Sequence, residues 1–232
     1  MKIVKVQAII PTAGIGKRLK SDIPKPFVEV CGKPLCVHTL EVFEKSPSVD
    51  SVILVGHAEN LFNLGNIIKR HHLSKVIKIV AGGETRRASV SNGLAVLDDD
   101  TDVVLVHDGA RPLVSEQTIN DAVALSKDWE AVVVAVPVKS TIKKVNKEEL
   151  RVEETVDREN LWEVQTPQVF KRDVLLRAHA QNKDKFPTDD AMMVERLGVK
   201  VKILPGDYRN IKITTQEDLT VAEAFFKAAK KF

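Results

Sequence analysis

The sequence has 232 residues, 44% hydrophobic and 29% charged, enough to bury a sizeable core and ordinary for a soluble globular protein. A formal net charge of +3, with basic residues interspersed among acidic ones, excludes nucleic acid as the default partner. No apolar run approaches the roughly 18 residues a membrane helix needs, and Lys2, Lys5 and Gln7 interrupt the place of a secretory signal, so a cytoplasmic location is expected.

Residues 4–10 form a near-continuous apolar run, the pattern of a strand buried on both faces. It breaks into Pro11-Thr12-Ala13-Gly14-Ile15-Gly16-Lys17-Arg18, a glycine-rich turn able to aim backbone amides at an anion. Lys17, Arg18 and a proline-flanked Lys25 add full charges, which suits a triphosphate better than a neutral ligand. The spacing is not that of a P-loop, and Leu19 stands where a dinucleotide fingerprint needs its third glycine. The turn therefore reads as a nucleoside triphosphate cradle of another kind. Cys31 and Cys36 have no second ligand pair at zinc-finger spacing and read as free thiols of a reducing compartment.

A helix is predicted over 34–43, a buried strand over 51–56, and a helix over 58–72 whose Gly65 weakens its middle. Residues 75–80 alternate enough to suggest a strand near a sheet edge. Next comes Ala81-Gly82-Gly83-Glu84-Thr85-Arg86-Arg87-Ala88-Ser89, a Gly-Gly turn opening a helix whose first turn offers amides, an arginine and a serine hydroxyl. At a strand's carboxyl end this makes a second pocket wall. Another buried strand, 101–106, runs into His107-Asp108-Gly109-Ala110-Arg111-Pro112. Asp108 at that edge suits a sugar hydroxyl or Mg²⁺; His107 reads as a partly buried residue satisfied by backbone.

A helix over 115–126 and a buried strand over 131–136 follow; then the composition changes. Residues 138–156 are polar and alternating about a charged Asn146-Lys147-Glu148-Glu149 turn, and predict a two-stranded arm standing off the main sheet. The chain returns through 157–170 without an assigned element. Two helices flank Thr188-Asp189-Asp190, where Thr188 suits a helix N-cap, and the second ends near Gly198. A strand over 200–204, a short extended segment over 208–214 and a Thr215-to-Asp218 capping box opening a last helix complete the chain. The reading is α/β: a Rossmann-like, mostly parallel sheet flanked by helices, one domain over 1–232, with 138–156 as a protruding β-hairpin arm.

Several motifs in fixed order then carry a family likeness: Pro-Thr-Ala-Gly-Ile-Gly-Lys-Arg, Pro-Lys-Pro, Gly-Gly-Glu-Thr-Arg-Arg-Ala-Ser-Val, His-Asp-Gly-Ala-Arg-Pro, Leu-Trp-Glu-Val-Gln-Thr-Pro-Gln, Thr-Asp-Asp and Asn-Ile-Lys-Ile-Thr. Over nearly its whole length the sequence resembles the 2-C-methyl-D-erythritol 4-phosphate cytidylyltransferases of the non-mevalonate isoprenoid pathway. It departs from the common pattern at Thr12 and Gly109, each standing where alanine is usual. The resemblance implies a nucleotidyltransferase reaction, in which CTP and methylerythritol 4-phosphate give the CDP-alcohol and pyrophosphate, with Mg²⁺. It further implies that Arg18, Lys25 and Lys212 are catalytic, and that Thr12, Ala13, Gly14, Gly16, Gly83, Glu84 and Ser89 bind the nucleotide. By the same resemblance Asp108, Arg111, Thr188 and Lys212 receive the sugar phosphate, Asp108 bears on the metal, and the arms clasp a homodimer. Thr141 and Arg158 would then reach the partner's substrate.

A ribitol 5-phosphate cytidylyltransferase is the nearest alternative. Ala110, where those relatives tend to carry valine, and Leu161-Trp162 favour methylerythritol phosphate. A catalytically silent nucleotide-binding module on the same fold is disfavoured by Arg18, the lysines and Asp108; an oxidoreductase is disfavoured by Leu19.

Overall fold

The computed structural model describes residues 4–14, 17–19, 21, 23–184 and 187–229; Gly16 lies outside them. In chain order the elements are β1 (Val6–Pro11), β2 (Glu29–Val30), β3 (Lys33–Pro34), α1 (Leu35–Lys45), β4 (Ser51–Gly56), α2 (Leu61–Arg70), β5 (Val76–Ala81) and α3 (Arg86–Leu94). They continue with β6 (Val103–Val106), α4 (Glu116–Leu125), β7 (Ala131–Pro137), β8 (Ile142–Asn146), β9 (Arg151–Val156), β10 (Trp162–Lys171), α5 (Arg172–Gln181), α6 (Asp190–Glu195), β11 (Val201–Pro205) and α7 (Gln216–Ala229).

Seven strands form one sheet in the order β11-β7-β10-β6-β1-β4-β5. All neighbours pair parallel except β10, which runs antiparallel to both β6 and β7. Alternate β1 residues serve opposite faces: Ala8 and Ile10 pack with Phe43, Leu64 and Ile119 under α1, α2 and α4, while Ile9 packs with Val90, Leu175 and Val194 under α3, α5 and α6. That two-sided burial explains the unbroken apolar runs of the central strands. A smaller core of Leu19, Val30, Leu35, Ile213 and Ala222 seats α7 against the segment after the glycine turn.

The chain runs β1, β4, β5 to one side of β1 and then crosses to β6 on the other. The carboxyl ends of β1 and β6 are thus a topological switch point, where open parallel sheets bind ligands. The edge position of β5 and the separate β8–β9 hairpin agree with the expectations. The hairpin's residues are mostly exposed on both faces, as their polarity requires.

Three expectations change. Residues 162–171, unassigned in the sequence, form an interior strand. Its Gln165-Thr166-Pro167 lies where the register shifts between Val164 and Gln168, and such a bulge accommodates a proline that a regular ladder would exclude. The cap of α6 is Asp189, whose carboxylate accepts from Met192 N, and not Thr188, which precedes the helix. His107 is fully rather than partly buried.

Candidate active site

One side of the site is built from two loops that leave β1 and β5 and are both tied to β4. After Pro11 the chain turns, and Thr12 fixes the turn by donating from both its amide (2.7 Å) and its hydroxyl (3.0 Å) to Val55 O. Gly82 N donates to Gly56 O (2.7 Å) and carries the second loop alongside. A Cβ at Gly82 would lie 2.5 Å from Ala13 Cβ and 2.8 Å from Ser89 Oγ, so only glycine lets the two loops touch. Thr85 caps α3, and Ser89 Oγ donates to Thr85 O and receives Gly83 N, which holds the Gly-Gly turn open. These loops bound a cavity of ≈ 570 Å³, lined by Thr12, Ala13, Gly14, Lys25, Gly83, Glu84, Ser89, Asp108 and Lys212 among others.

Asp108 is the electrostatic centre. Its buried carboxylate faces Arg86 Nε at 3.0 Å, Lys212 Nζ at 2.8 Å and Arg111 Nε at 3.5 Å. Burial alone would raise its pKa, but Arg86, Lys212 and Arg111 together hold it well below the usual carboxylate range. His107 beneath it is pushed down to about 4 by burial and is neutral at working pH. Its Nε2–H therefore donates to Arg111 O, its Nδ1 accepts from the Thr166 hydroxyl, and that hydroxyl in turn accepts from Asp108 N. The result fixes the backbone beneath Asp108 without a titrating group.

Lys212 enters from residues 210–214, which are tied down by Ile213 N to Ala110 O, Arg111 Nη1 to Asn210 O, and Asn210 Nδ2 to Thr166 O. Lys25 sits in a 3-10 turn, Lys25–Phe27, beside the buried Pro26. Its pKa falls to about 8, chiefly through burial and then through the nearby charges of Lys212 and Arg18, with Asp108 opposing. Several cations crowd one carboxylate here, an arrangement that a polyanion relieves.

A second cavity, ≈ 360 Å³, shares Arg86, Asp108 and Lys212 with the first and is completed by Arg111, Gln165, Thr166, Gln168, Thr188 and Asp189. Two compartments thus meet across the Asp108 cluster. Arg18, exposed beside the first cavity, is felt there through its charge on Lys25. Thr141 and Arg158 line neither cavity; Thr141 is exposed on the arm and Arg158 donates to Lys139 O at its root.

Sequence reasoning does not single out Arg86 as a site residue, although an arginine in that helix's first turn is visible. Its guanidinium bridges Asp108 and the fully buried Asp190 (2.6 Å), which also accepts from His179 Nε2 (2.9 Å). Residues 86, 179 and 190 come from three helices, and no spacing in the chain announces their meeting. Among the described residues no group of three or more His, Cys, Asp or Glu could hold a metal. Both oxygens of Asp108 already face cations, so the described residues do not supply a ready divalent site.

The family model for IspD, 2-C-methyl-D-erythritol 4-phosphate cytidylyltransferase, matches residues 6–228. The chain belongs to this family. A cytidylyltransferase of that name from Alkaliphilus metalliredigens is 45% identical over 97% of this chain and 95% of its own. One from Geobacter metallireducens is 46% identical over 96% and 97%. The solved 4-diphosphocytidyl-2C-methyl-D-erythritol synthase of Anaerococcus prevotii superposes with a TM-score of 0.84 at 31% identity, covering 97% of this chain and 99% of that one. The fold and the family expected from the motifs are therefore those found.

Proposed function

We propose that this chain joins CTP to 2-C-methyl-D-erythritol 4-phosphate, giving 4-diphosphocytidyl-2-C-methyl-D-erythritol and pyrophosphate, by one direct displacement. The observation that carries this is the pair of cavities sharing Arg86, Asp108 and Lys212. CTP lies against Thr12, Ala13 and Gly14, and its base and ribose reach Gly83, Glu84 and Ser89. The sugar phosphate occupies the second cavity near Arg111 and Thr188, with Lys212 between the two.

In the reaction a phosphate oxygen of the sugar attacks the α-phosphorus of CTP. The α–β bridging bond breaks and pyrophosphate leaves; no proton need be removed from an ionised phosphate. The chain's task is positioning and charge neutralisation. Lys25, Arg18 and Lys212 face the charge that builds on the equatorial oxygens and on the leaving group. Asp108 acts as the anchor of Lys212, Arg86 and Arg111, holding three cations in place before substrate arrives. A divalent cation, Mg²⁺ in this reading, would supply charge neutralisation for the triphosphate, with no cluster of the described residues to hold it.

The arm suits a symmetric homodimer. Val145 and Val152 are exposed on it, as are Trp162 and Val164 on β10, and a two-stranded hairpin is marginal by itself in water. In that dimer Thr141 and Arg158 approach the partner's sugar phosphate. We read the protein as cytoplasmic; among the described residues no helix is long and apolar enough to cross a membrane. Turnover of CTP made chiral at the α-phosphorus by sulfur substitution tests the displacement. Inversion is expected, and net retention would refute a single in-line step.

A further inference from the structure

β1 and β6 are paired parallel, Ile9 beside Val106, so the loops leaving their carboxyl ends lie side by side. One loop carries the amides of the triphosphate cradle and the other carries Asp108. They touch at Thr12 and Gly109. A Cβ on Gly109 would stand 2.3 Å from Thr12 Cγ2, 3.2 Å from Pro11 O and 3.3 Å from Ile10 Cγ2. Gly109 does not have the positive φ that favours glycine, so what the position requires is space.

Neither partner is able to retreat cheaply. Gly109 N donates to Pro11 O (3.2 Å), and Gly109 O accepts from the fully buried Thr39 hydroxyl (3.1 Å). On the other side both the amide and the hydroxyl of Thr12 are committed to Val55 O. Turning the Thr12 methyl away from residue 109 would also turn the hydroxyl off that carbonyl. The methyl of Thr12 fills the place a side chain at 109 would take.

We propose that Thr12 and Gly109 form one positioning unit, in which the Thr12 methyl against the bare Cα of Gly109 sets the gap between the triphosphate cradle and the Asp108 carboxylate. The inference rests on the reading that Asp108 presents Lys212 and Arg86 to the reacting phosphates. A methyl added at 109 must move either the cradle or Asp108 by several tenths of an ångström. Asp108 holds Lys212 at 2.8 Å and Arg86 at 3.0 Å, so the cations move with it. Small misplacements of this kind cost rate more than affinity.

The test is a mutant cycle of Gly109→Ala with Thr12→Ser, which deletes only the methyl and keeps the hydroxyl on Val55 O. kcat, KM for CTP, KM for the sugar phosphate and Tm are measured for wild type, both single variants and the double variant. Gly109→Ala is expected to lower kcat about tenfold or more and to change either KM less. In the Thr12→Ser background the same change at 109 is expected to cost no more than about twofold. That second comparison stands even if Gly109→Ala alone does not fold. Equal losses in both backgrounds, or a Gly109→Ala protein with wild-type kcat and only a lowered Tm, would overturn the positioning unit. Absence of turnover in the wild type with CTP and methylerythritol phosphate would instead sink the reading on which it rests.

Discussion

Lys25 offers the sharpest pH prediction. In the free protein its ammonium is disfavoured by burial, by Lys212 and by Arg18, so it loses its proton near pH 8. A bound triphosphate puts compensating negative charge beside those cations and raises the Lys25 pKa. CTP affinity is therefore fully present below pH 8, is lost as pH climbs through 8, and levels off once the bound-state pKa is passed. With a free-state pKa of about 8, Lys25 is about nine-tenths protonated at pH 7 and about one-tenth at pH 9, a decline in affinity of about tenfold across that interval. The triphosphate's own last ionisation lies below this window, near 6 by analogy with phosphate esters. Titration calorimetry with CTP across pH 7 to 9.5 reads both the affinity and a proton uptake that rises from about one-tenth per CTP at pH 7 to about nine-tenths at pH 9. Lys25→Arg keeps a cation that stays charged throughout, so its affinity should be flat over the same range. A flat wild-type profile, or an unchanged decline in Lys25→Arg, would refute the argument.

Arg86→Gln should leave Asp190 fully buried with His179 as its remaining hydrogen-bond partner, and should leave Asp108 to Lys212 and Arg111 alone. Breaking such a buried pair costs about 3–5 kcal/mol, so a lowered Tm together with a kcat loss is expected, and an unchanged Tm would contradict the pairing seen here. Replacing residues 142–153 by a short turn should give a monomer that binds CTP but uses the sugar phosphate poorly; a monomer with normal turnover would remove the shared-site proposal. Excess chelator should abolish turnover and added Mg²⁺ should restore it, whereas full activity in chelator would exclude the divalent cation.

What the sequence made legible follows from what each element must satisfy. Residues 51–56 were readable as a strand because a central parallel strand buries both faces and becomes one apolar word, Ser51 to Gly56. β5 betrayed its edge position through Lys78, whose ammonium reaches the Val96 carbonyl and Asp98 at the sheet's rim. The arm was readable from its polarity for the converse reason. β10 was hidden, because Gln165, Thr166 and Gln168 spend their polar atoms on Asp207, His107 and Asp189, contacts that a local pattern does not contain. In the site, the residues carried by loops with glycine or proline punctuation stand out as candidates from the sequence alone. Arg86 was passed over because its importance lies in two carboxylates, one 22 and one 104 residues away.

The most direct measurement of the central claim is pyrophosphate release from CTP, assayed in parallel with 2-C-methyl-D-erythritol 4-phosphate and with ribitol 5-phosphate as acceptor. The account predicts stoichiometric pyrophosphate and a CDP-alcohol with methylerythritol phosphate, and a far lower kcat/KM with ribitol phosphate. Equal or preferred use of ribitol 5-phosphate, or no pyrophosphate with either acceptor, would contradict it.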